Sequence, residues 1–184
     1  MTSTGSVEGR ERLRLFCALR LPEDTLERLV RWQAEHVRDG GRIVGREHLH
    51  ITLAFLGWTP ASRLDEVADA LRAAAAGAGE LVFTTLRYRE TRSVGMVVLQ
   101  DETGEGGRLA ERLFDGVERL GVYERERRPW LPHVTVLRFR SPPRLDPPVP
   151  DLGAFRPSDA AVYMSALRPS GAQYEVLESV PLGG

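Results

Sequence analysis

Two short stretches of this 184-residue chain, LHITL at positions 49–53 and PHVTV at positions 132–136, share one pattern. Each contains a histidine, an apolar residue, a threonine and a second apolar residue, in that order. On a β-strand, successive side chains point to opposite faces. The histidine and the threonine of each stretch therefore share one face of a predicted strand. The opposite face of each strand is apolar, and we expect it to pack under a helix.

The recurrence of this pattern predicts a duplicated fold. His50 and His133 lie 83 residues apart, and each predicted strand follows a predicted helix after about a dozen residues or more. A single histidine on a strand is usually a hydrogen-bonded structural residue, but that role gives no reason for a threonine to recur two positions later. Two such strands that meet across a pseudo-twofold axis would place His50, Thr52, His133 and Thr135 in one groove. This groove is the candidate functional site.

The periodicity of apolar residues predicts the secondary structure of the rest of the chain. Short apolar runs predict strands, helical spacing predicts helices, and the hairpin-like strand pairs argue against a purely parallel sheet. We therefore expect an α+β chain with two lobes, in which antiparallel sheets line a central groove and helices pack outside. Helices are predicted over 22–37, 60–76 and 109–120; strands over 13–21, 43–56, 81–89, 94–99, 130–139, 161–167 and 174–179; a glycine-rich turn over 103–107; and a stiff proline-rich connector over 142–150.

Length and composition favour one domain. Residues 13–184 are expected to form a single two-lobed domain after a flexible N-terminal extension over residues 1–12. The extension is polar and does not resemble a signal peptide, and no apolar run is long enough to predict a membrane span. Cys17 is the only cysteine, and its position on the apolar face of the first strand indicates a core residue. We expect a cytoplasmic monomer that has no association with membranes.

The basic residues of the chain exclude several chemistries. All 25 are arginine, so no lysine is present to form a Schiff base, to serve a Walker A motif or to carry a nucleotide covalently. This excludes an ATP-dependent ligase that works through a lysyl-nucleotide. The formal net charge of −1 gives no general attraction to nucleic acid. Any contact with RNA must therefore use local arginines, which favours short RNA ends or small nucleotides over long RNA.

The two stretches and their flanks resemble one family. RLFCALRLP is similar to its first strand, HLHITLAFLG to its first motif, and RPWLPHVTVLRFR to its second motif, which includes Arg138 five residues after His133. Over residues 13–180 the chain resembles the RNA 2′,3′-cyclic phosphodiesterases, the LigT-like or 2′-5′ RNA ligase branch of the two-histidine (2H) phosphoesterase superfamily. The resemblance implies hydrolysis of a 2′,3′-cyclic phosphate to a phosphomonoester, expected to be the 2′-phosphate, with no metal and no cofactor.

Acid–base chemistry and this resemblance together assign a role to each motif residue. Two imidazoles with ordinary pKa values of about 6.5 can divide proton transfer between them near neutral pH. We expect His50 to be the proton donor to the leaving oxygen and His133 to be the proton acceptor for water. Thr52 and Thr135 are expected to donate hydrogen bonds to the phosphate oxygens, and Arg138 to add a positive charge. The same groups would serve a reversible, ATP-independent 2′-5′ RNA ligation.

Two aromatic residues near the motifs are candidates for stacking on a nucleobase. Phe16 precedes the core cysteine on the first strand, and Trp130 precedes the second motif. Stacking of a base on an aromatic ring contributes about 1–3 kcal/mol and tolerates any sequence. Packing in the protein core is an equally good interpretation of both residues.

Two other functions are compatible with the histidines. His48 and His50 share a strand face and, with His133, would form a three-histidine zinc site, but the recurring threonines would then be unexplained. A non-catalytic module that binds RNA ends or nucleotides would keep the groove without turnover. In either the catalytic or the binding case, the expected partners are RNA ends or small cyclic nucleotides that carry a 2′,3′-cyclic phosphate.

Overall fold

The computed structural model describes residues 11–182, which form strands with three α-helices between them. The α+β class is confirmed, and the predicted helices and strands have their counterparts with one difference. The single strand expected over 43–56 is divided by a turn at Arg46–His48, so His48 does not lie on the strand of His50. The predicted extension over 1–12 lies outside the described residues except at its last two positions, and Arg12 is already the first residue of the first strand. In chain order the elements are β1 (Arg12–Arg20), α1 (Glu23–His36), β2 (Arg42–Ile43), β3 (His50–Pro60), α2 (Leu64–Ala76), β4 (Phe83–Glu90), β5 (Val94–Asp101), α3 (Glu105–Arg119), β6 (His133–Arg138), β7 (Asp159–Arg168) and β8 (Gly171–Val180).

The strands form one antiparallel sheet in the order β4-β5-β6-β3-β1-β7-β8, and β2 pairs with the end of β6. Each half of the molecule contributes four strands: β3, β1, β7 and β8 on one side, and β4, β5, β6 and β2 on the other. The halves join where β3 meets β6, through the single antiparallel residue pair Ile51–Val134. These two residues directly follow His50 and His133, so this joint places the two motifs side by side.

The two faces of the sheet pack against different partners. Leu15, Cys17 and Leu19 on β1 are fully buried on the face that the helices cover. Cys17 is a free thiol in this core, as predicted, and burial raises its pKa to about 12. On the opposite face Phe16 and Tyr163 belong to a small separate apolar cluster. The apolar residues of the motif strands face the helices, which leaves the histidines and threonines on the open side.

Helix α3 begins earlier than the sequence predicts, within the glycine-rich stretch 103–107. The carboxylate of Asp101 accepts hydrogen bonds from the main-chain nitrogens of Gly104 and Gly107 at 3.1 and 2.8 Å. Gly104 has a φ of +72°, a conformation that glycine adopts without strain. The glycines therefore form the start of a capped helix and not only a turn. None of the helices between residues 11 and 182 is long and apolar enough to cross a membrane.

The proline-rich connector over 142–150 has no regular secondary structure, as predicted. Its course is fixed by side chains of the domain. The indole of Trp32 on α1 donates a hydrogen bond to the carbonyl oxygen of Pro148 at 2.7 Å. The carboxylate of Glu90 accepts hydrogen bonds from the main-chain nitrogens of Arg144 and Leu145, both at 2.8 Å. The connector is thus held against the half of the molecule that contains β4.

Candidate active site

Both motif strands contribute their polar side chains to one cavity of about 410 Å³ on the open face of the sheet. The lining includes His50 and Thr52 from β3 together with His133, Thr135 and Arg138 from β6. The antiparallel pairing of β3 with β6 brings the two pairs together, while strand alternation turns the apolar residues between them toward the helices. All five residues that the motifs single out therefore meet at one place.

A main-chain carbonyl group fixes the ring of His50. Nδ1 lies 2.7 Å from the carbonyl oxygen of His48, which can only accept, so we assign the ring proton to Nδ1. Nε2 is then unprotonated, and it accepts a hydrogen bond from the hydroxyl of Thr52 at 3.0 Å. Nε2 is consequently the ring nitrogen that remains for proton transfer.

The ring of His133 is held in the same way. Its Nδ1 donates a hydrogen bond to the carbonyl oxygen of Leu131 at 2.8 Å. In both motifs the acceptor is the carbonyl two residues before the histidine, so the duplicated backbone selects the same tautomer twice. Two Nε2 atoms therefore remain for chemistry, one from each half of the molecule.

His50 lies in a more apolar environment than His133. Its ring centroid is 5.0 Å from that of Phe16 and 6.0 Å from that of Tyr163. Burial lowers the pKa of His50 to about 4. The hydrogen bond to the carbonyl group of His48 opposes this shift, and the proximity of His133, His48 and Arg138 adds to it. In the free protein at neutral pH, His50 is therefore neutral.

A β-bulge in each motif strand turns the side chain five residues after the histidine into the cavity. In β3, Leu53 has no partner on β1, so Leu53 and Ala54 are both buried and Phe55 reaches the cavity. In β6, Val136 has no partner on β5, and Arg138 reaches the cavity. Strict alternation would have placed Phe55 and Arg138 on the helix side. The bulges therefore complete the lining of the site.

The two aromatic residues considered for base stacking occupy different places. Phe16 contributes to the cavity lining but is only 2% exposed, because its ring stacks on Tyr163 at 4.9 Å with an interplanar angle of 3°. Trp130 lies outside the cavity lining, and its Nε1 donates a hydrogen bond to the carbonyl oxygen of Thr52 at 2.9 Å. Phe16 thus lacks a free ring face for a base, and Trp130 anchors the first motif strand.

Three further side chains of the cavity wall were not singled out by the sequence: Arg42, Phe55 and Tyr174. His48, which the sequence suggested only as a zinc ligand, also lines the cavity. Phe55 is 49% exposed, and the guanidinium of Arg14 lies 5.0 Å from its ring centroid. The ring centroids of His48 and Tyr174 are 4.6 Å apart. Phe55 belongs to the first motif stretch, but its direction depends on the bulge. Arg42 and Tyr174 come from separate elements, and no local pattern reveals that they approach the motifs.

The arrangement of His48, His50 and His133 does not match the three-histidine zinc site that the sequence also suggested. Within residues 11–182, no three histidine, cysteine, aspartate or glutamate side chains come together as a group that could hold a metal ion. The ring of His48 packs against Tyr174, and Nδ1 of His50 is engaged by the main chain. The three-histidine zinc site therefore has no ligand set in this geometry.

The cavity combines two imidazoles, two hydroxyl groups and a guanidinium around one open space. Imidazoles can accept and donate protons, and hydroxyl and guanidinium groups can bind the oxygens of an anion. This donor set suits an acid–base reaction at a phosphate group. The fold and the site together are those of a two-histidine phosphoesterase.

Similarity to known proteins shows to which family of two-histidine phosphoesterases the chain belongs. The family described as "LigT like Phosphoesterase" matches residues 19–92. The RNA 2′,3′-cyclic phosphodiesterase of Thermus thermophilus is 34% identical over an alignment of 191 positions, gaps included, that spans 94% of this chain and 91% of the relative. The Escherichia coli enzyme of the same name is 31% identical over 171 residues, which cover 90% and 94%. The crystal structure of E. coli LigT complexed with 3′-AMP has a TM-score of 0.76 and 25% identity, with coverage of 95% of this chain and 99% of that one. The chain belongs to the family of LigT-like RNA 2′,3′-cyclic phosphodiesterases.

Proposed function

We propose that this protein hydrolyses the 2′,3′-cyclic phosphate at RNA ends and on small nucleotides and leaves a 2′-phosphomonoester. The observation that carries the proposal is the convergence of two histidine–threonine pairs on one cavity, each ring with its Nε2 left for proton transfer. The names of the relatives supply the substrate class. The 3′-AMP complex of E. coli LigT is in keeping with a nucleotide ligand.

The proposed reaction is a single displacement at phosphorus. A water molecule attacks the phosphorus atom, and its proton passes to Nε2 of His133 as the new P–O bond forms. The bond from phosphorus to the 3′ oxygen breaks, and this oxygen takes a proton from Nε2 of His50. Two imidazoles in these roles each accelerate such a reaction by about 10²- to 10⁴-fold. Proton exchange with solvent then restores the starting state.

The donor role of His50 requires that it is protonated when substrate is bound. The lowered pKa of about 4 in the free protein opposes this. The phosphate of the substrate brings a negative charge into the cavity, which favours the protonated ring. Once Nε2 carries a proton, it can no longer accept from the hydroxyl of Thr52, and that hydroxyl is released to a phosphate oxygen. A buried imidazolium also gives up its proton readily, because burial disfavours its charge.

The remaining polar groups stabilise negative charge on the phosphate. Thr52 and Thr135 donate hydroxyl hydrogen bonds to its non-bridging oxygens, and Arg138 supplies a permanent positive charge. Phe55, which has an exposed ring at the cavity wall, is the better candidate for stacking on the base than Phe16 or Trp130. The proposal retains the expectation of a cytoplasmic monomer, which size-exclusion chromatography and cell fractionation measure.

The proposal is tested with an RNA dinucleotide that ends in a 2′,3′-cyclic phosphate, with the product identified by phosphorus NMR. The wild-type protein should form the 2′-phosphate, and His50→Ala and His133→Ala should each lower kcat by about 10²- to 10⁴-fold. His36→Ala is the matched control, because His36 lies on α1 away from the cavity.

Three results would contradict the proposal. If both active-site variants turn over at the wild-type rate, the histidines are not the catalytic groups. If the dinucleotide binds without turnover, the protein is a binding module. If excess EDTA abolishes activity and zinc restores it, the reaction depends on a metal.

A further inference from the structure

Two arginines face each other at one end of the cavity. Arg42 on β2 and Arg138 on β6 are direct partners in the antiparallel ladder, and both line the cavity. Like charges at directly opposed positions of a sheet destabilise the pairing. The register therefore places two like charges on neighbouring strands at the site, and a bound anion would reduce their repulsion.

Neither of these two arginines has an acidic partner in the part of the chain that the structure describes. No carboxylate between residues 11 and 182 lies within ion-pair distance of Arg42 or Arg138, whereas several surface arginines are paired, for example Arg63 with Glu66 at 2.8 Å. Among the same described residues, the only carboxylate in the cavity lining belongs to Glu47, whose side chain is 73% exposed and lies 3.9 Å from His48. The lining therefore has an excess of positive charge, although the chain as a whole has a net charge of −1.

The side chain of Arg42 extends toward the other half of the molecule. Its guanidinium lies against the turn between β7 and β8, where Nη1 is 3.0 Å from the point that a side-chain carbon on Gly171 would occupy. Gly171 has a φ of +119°, so glycine meets both the backbone and the space requirements of this turn. Arg42 thus spans from β2 in one half of the molecule to the β7–β8 turn in the other, at the rim of the groove.

We propose that Arg42 binds the phosphodiester that joins the terminal nucleotide to the rest of the RNA, so that the site favours RNA ends over cyclic mononucleotides. The inference rests on the proposed function. The cyclic phosphate already engages the two histidines, the two threonines and Arg138. A second permanent positive charge at the rim suits a second phosphate, and an RNA end supplies one at that position whereas a cyclic mononucleotide does not.

The test compares three substrates: a 2′,3′-cyclic mononucleotide, a dinucleotide with the same cyclic end, and that dinucleotide with an uncharged methylphosphonate linkage. In the wild-type protein the charged dinucleotide should have a kcat/KM about tenfold above that of the other two. Arg42→Gln should lower kcat/KM about tenfold more on the charged dinucleotide than on the methylphosphonate dinucleotide. Arg46→Gln is the matched control, because Arg46 is paired with Glu23 and lies outside the cavity lining.

The salt dependence gives a second measurement. Loss of one phosphate contact should make the slope of log kcat/KM against log salt concentration for the charged dinucleotide less negative by about 0.7. Arg42→Lys should keep the wild-type salt dependence, because lysine retains the positive charge. It should lose part of the preference for the charged dinucleotide, because lysine lacks the planar guanidinium group that binds two phosphate oxygens at once.

The outcomes separate the inference from the proposed function. If the wild-type protein does not distinguish the charged from the uncharged dinucleotide, or if Arg42→Gln affects both equally, Arg42 does not bind this phosphodiester. The wild-type comparison holds even if a variant fails to fold. If the wild-type protein hydrolyses none of the three substrates, the proposed function itself is wrong.

Discussion

The two motif strands, β3 and β6, have the same backbone design but different surroundings. Each holds its histidine through the carbonyl two residues earlier, and each contains a bulge that exposes the side chain five residues later. On β3 that side chain is Phe55 and the histidine lies against aromatic rings; on β6 it is Arg138 and the histidine is more exposed. Duplication thus supplies two equivalent imidazoles, and their neighbours make them chemically different. This difference makes the two roles separable by experiment.

The largest expected effect tests which imidazole is the donor. Replacement of the bridging 3′ oxygen of the cyclic phosphate by sulfur creates a thiolate leaving group, which departs without a proton. The His50→Ala variant, whose kcat is expected to be about 10²- to 10⁴-fold lower on the oxygen substrate, should therefore regain most of its kcat on the sulfur substrate. The His133→Ala variant should not. Steady-state kcat on the oxygen and sulfur substrates measures the recovery. Recovery of His133→Ala in place of His50→Ala would exchange the two roles.

The second expected effect is a dependence of the free energy of unfolding on pH, which results from the burial of His50. The pKa of His50 is about 4 in the folded protein against about 6.5 in an unfolded chain, so below pH 6.5 the unfolded chain binds the proton more strongly. The free energy of unfolding should accordingly fall by about 3 kcal/mol as the pH decreases from 7 to 4. Urea unfolding at several pH values measures this loss.

His50→Gln should remove this dependence, since it replaces the titratable ring by a neutral amide. His36→Gln on α1 is the matched control for the loss of an imidazole elsewhere. A stability difference between the wild-type protein and His50→Gln that stays constant from pH 7 to pH 4 would contradict the lowered pKa.

The smallest expected effect compares the two bulge side chains. Phe55→Ala should raise KM about tenfold with little change in kcat, because stacking of a base contributes about 1–3 kcal/mol to binding. Arg138→Gln should lower kcat about tenfold, because its charge acts on the reacting phosphate. Trp58→Ala is the control, as Trp58 is exposed on the same strand as Phe55 but lies outside the cavity lining. Equal effects of Phe55→Ala on kcat and KM would argue against a stacking role.

Much of the fold could be predicted from local sequence patterns. The periodicity of apolar residues predicted every helix and every strand except β2, since burial of one face is a local requirement of each element. The start of α3 differed because Asp101, on the preceding strand, caps the helix and draws the glycines into it. That contact depends on where β5 ends, which no spacing of the glycines themselves indicates.

Strand alternation predicted only the repeated part of the candidate site, and Arg138 was expected from the family resemblance alone. His50, Thr52, His133 and Thr135 alternate strictly along their strands, so their shared direction followed from the sequence. Phe55 and Arg138 lie beyond bulges that interrupt the alternation, and a bulge depends on pairing with a neighbouring strand. The positions of Trp130 and Arg42 depend on contacts with Thr52 and the β7–β8 turn, which are distant in sequence.

Because main-chain carbonyl groups hold the two imidazoles, mutation of the residues that supply these carbonyls does not remove the hydrogen bonds. An acceptor that belongs to the main chain is supplied by every amino acid, so mutation at positions 48 or 131 leaves it in place. The protonation geometry of the two imidazoles is thus determined by the path of the backbone. The side chains at positions 48 and 131 are therefore not constrained by the tautomers of the two rings, although His48 lines the cavity.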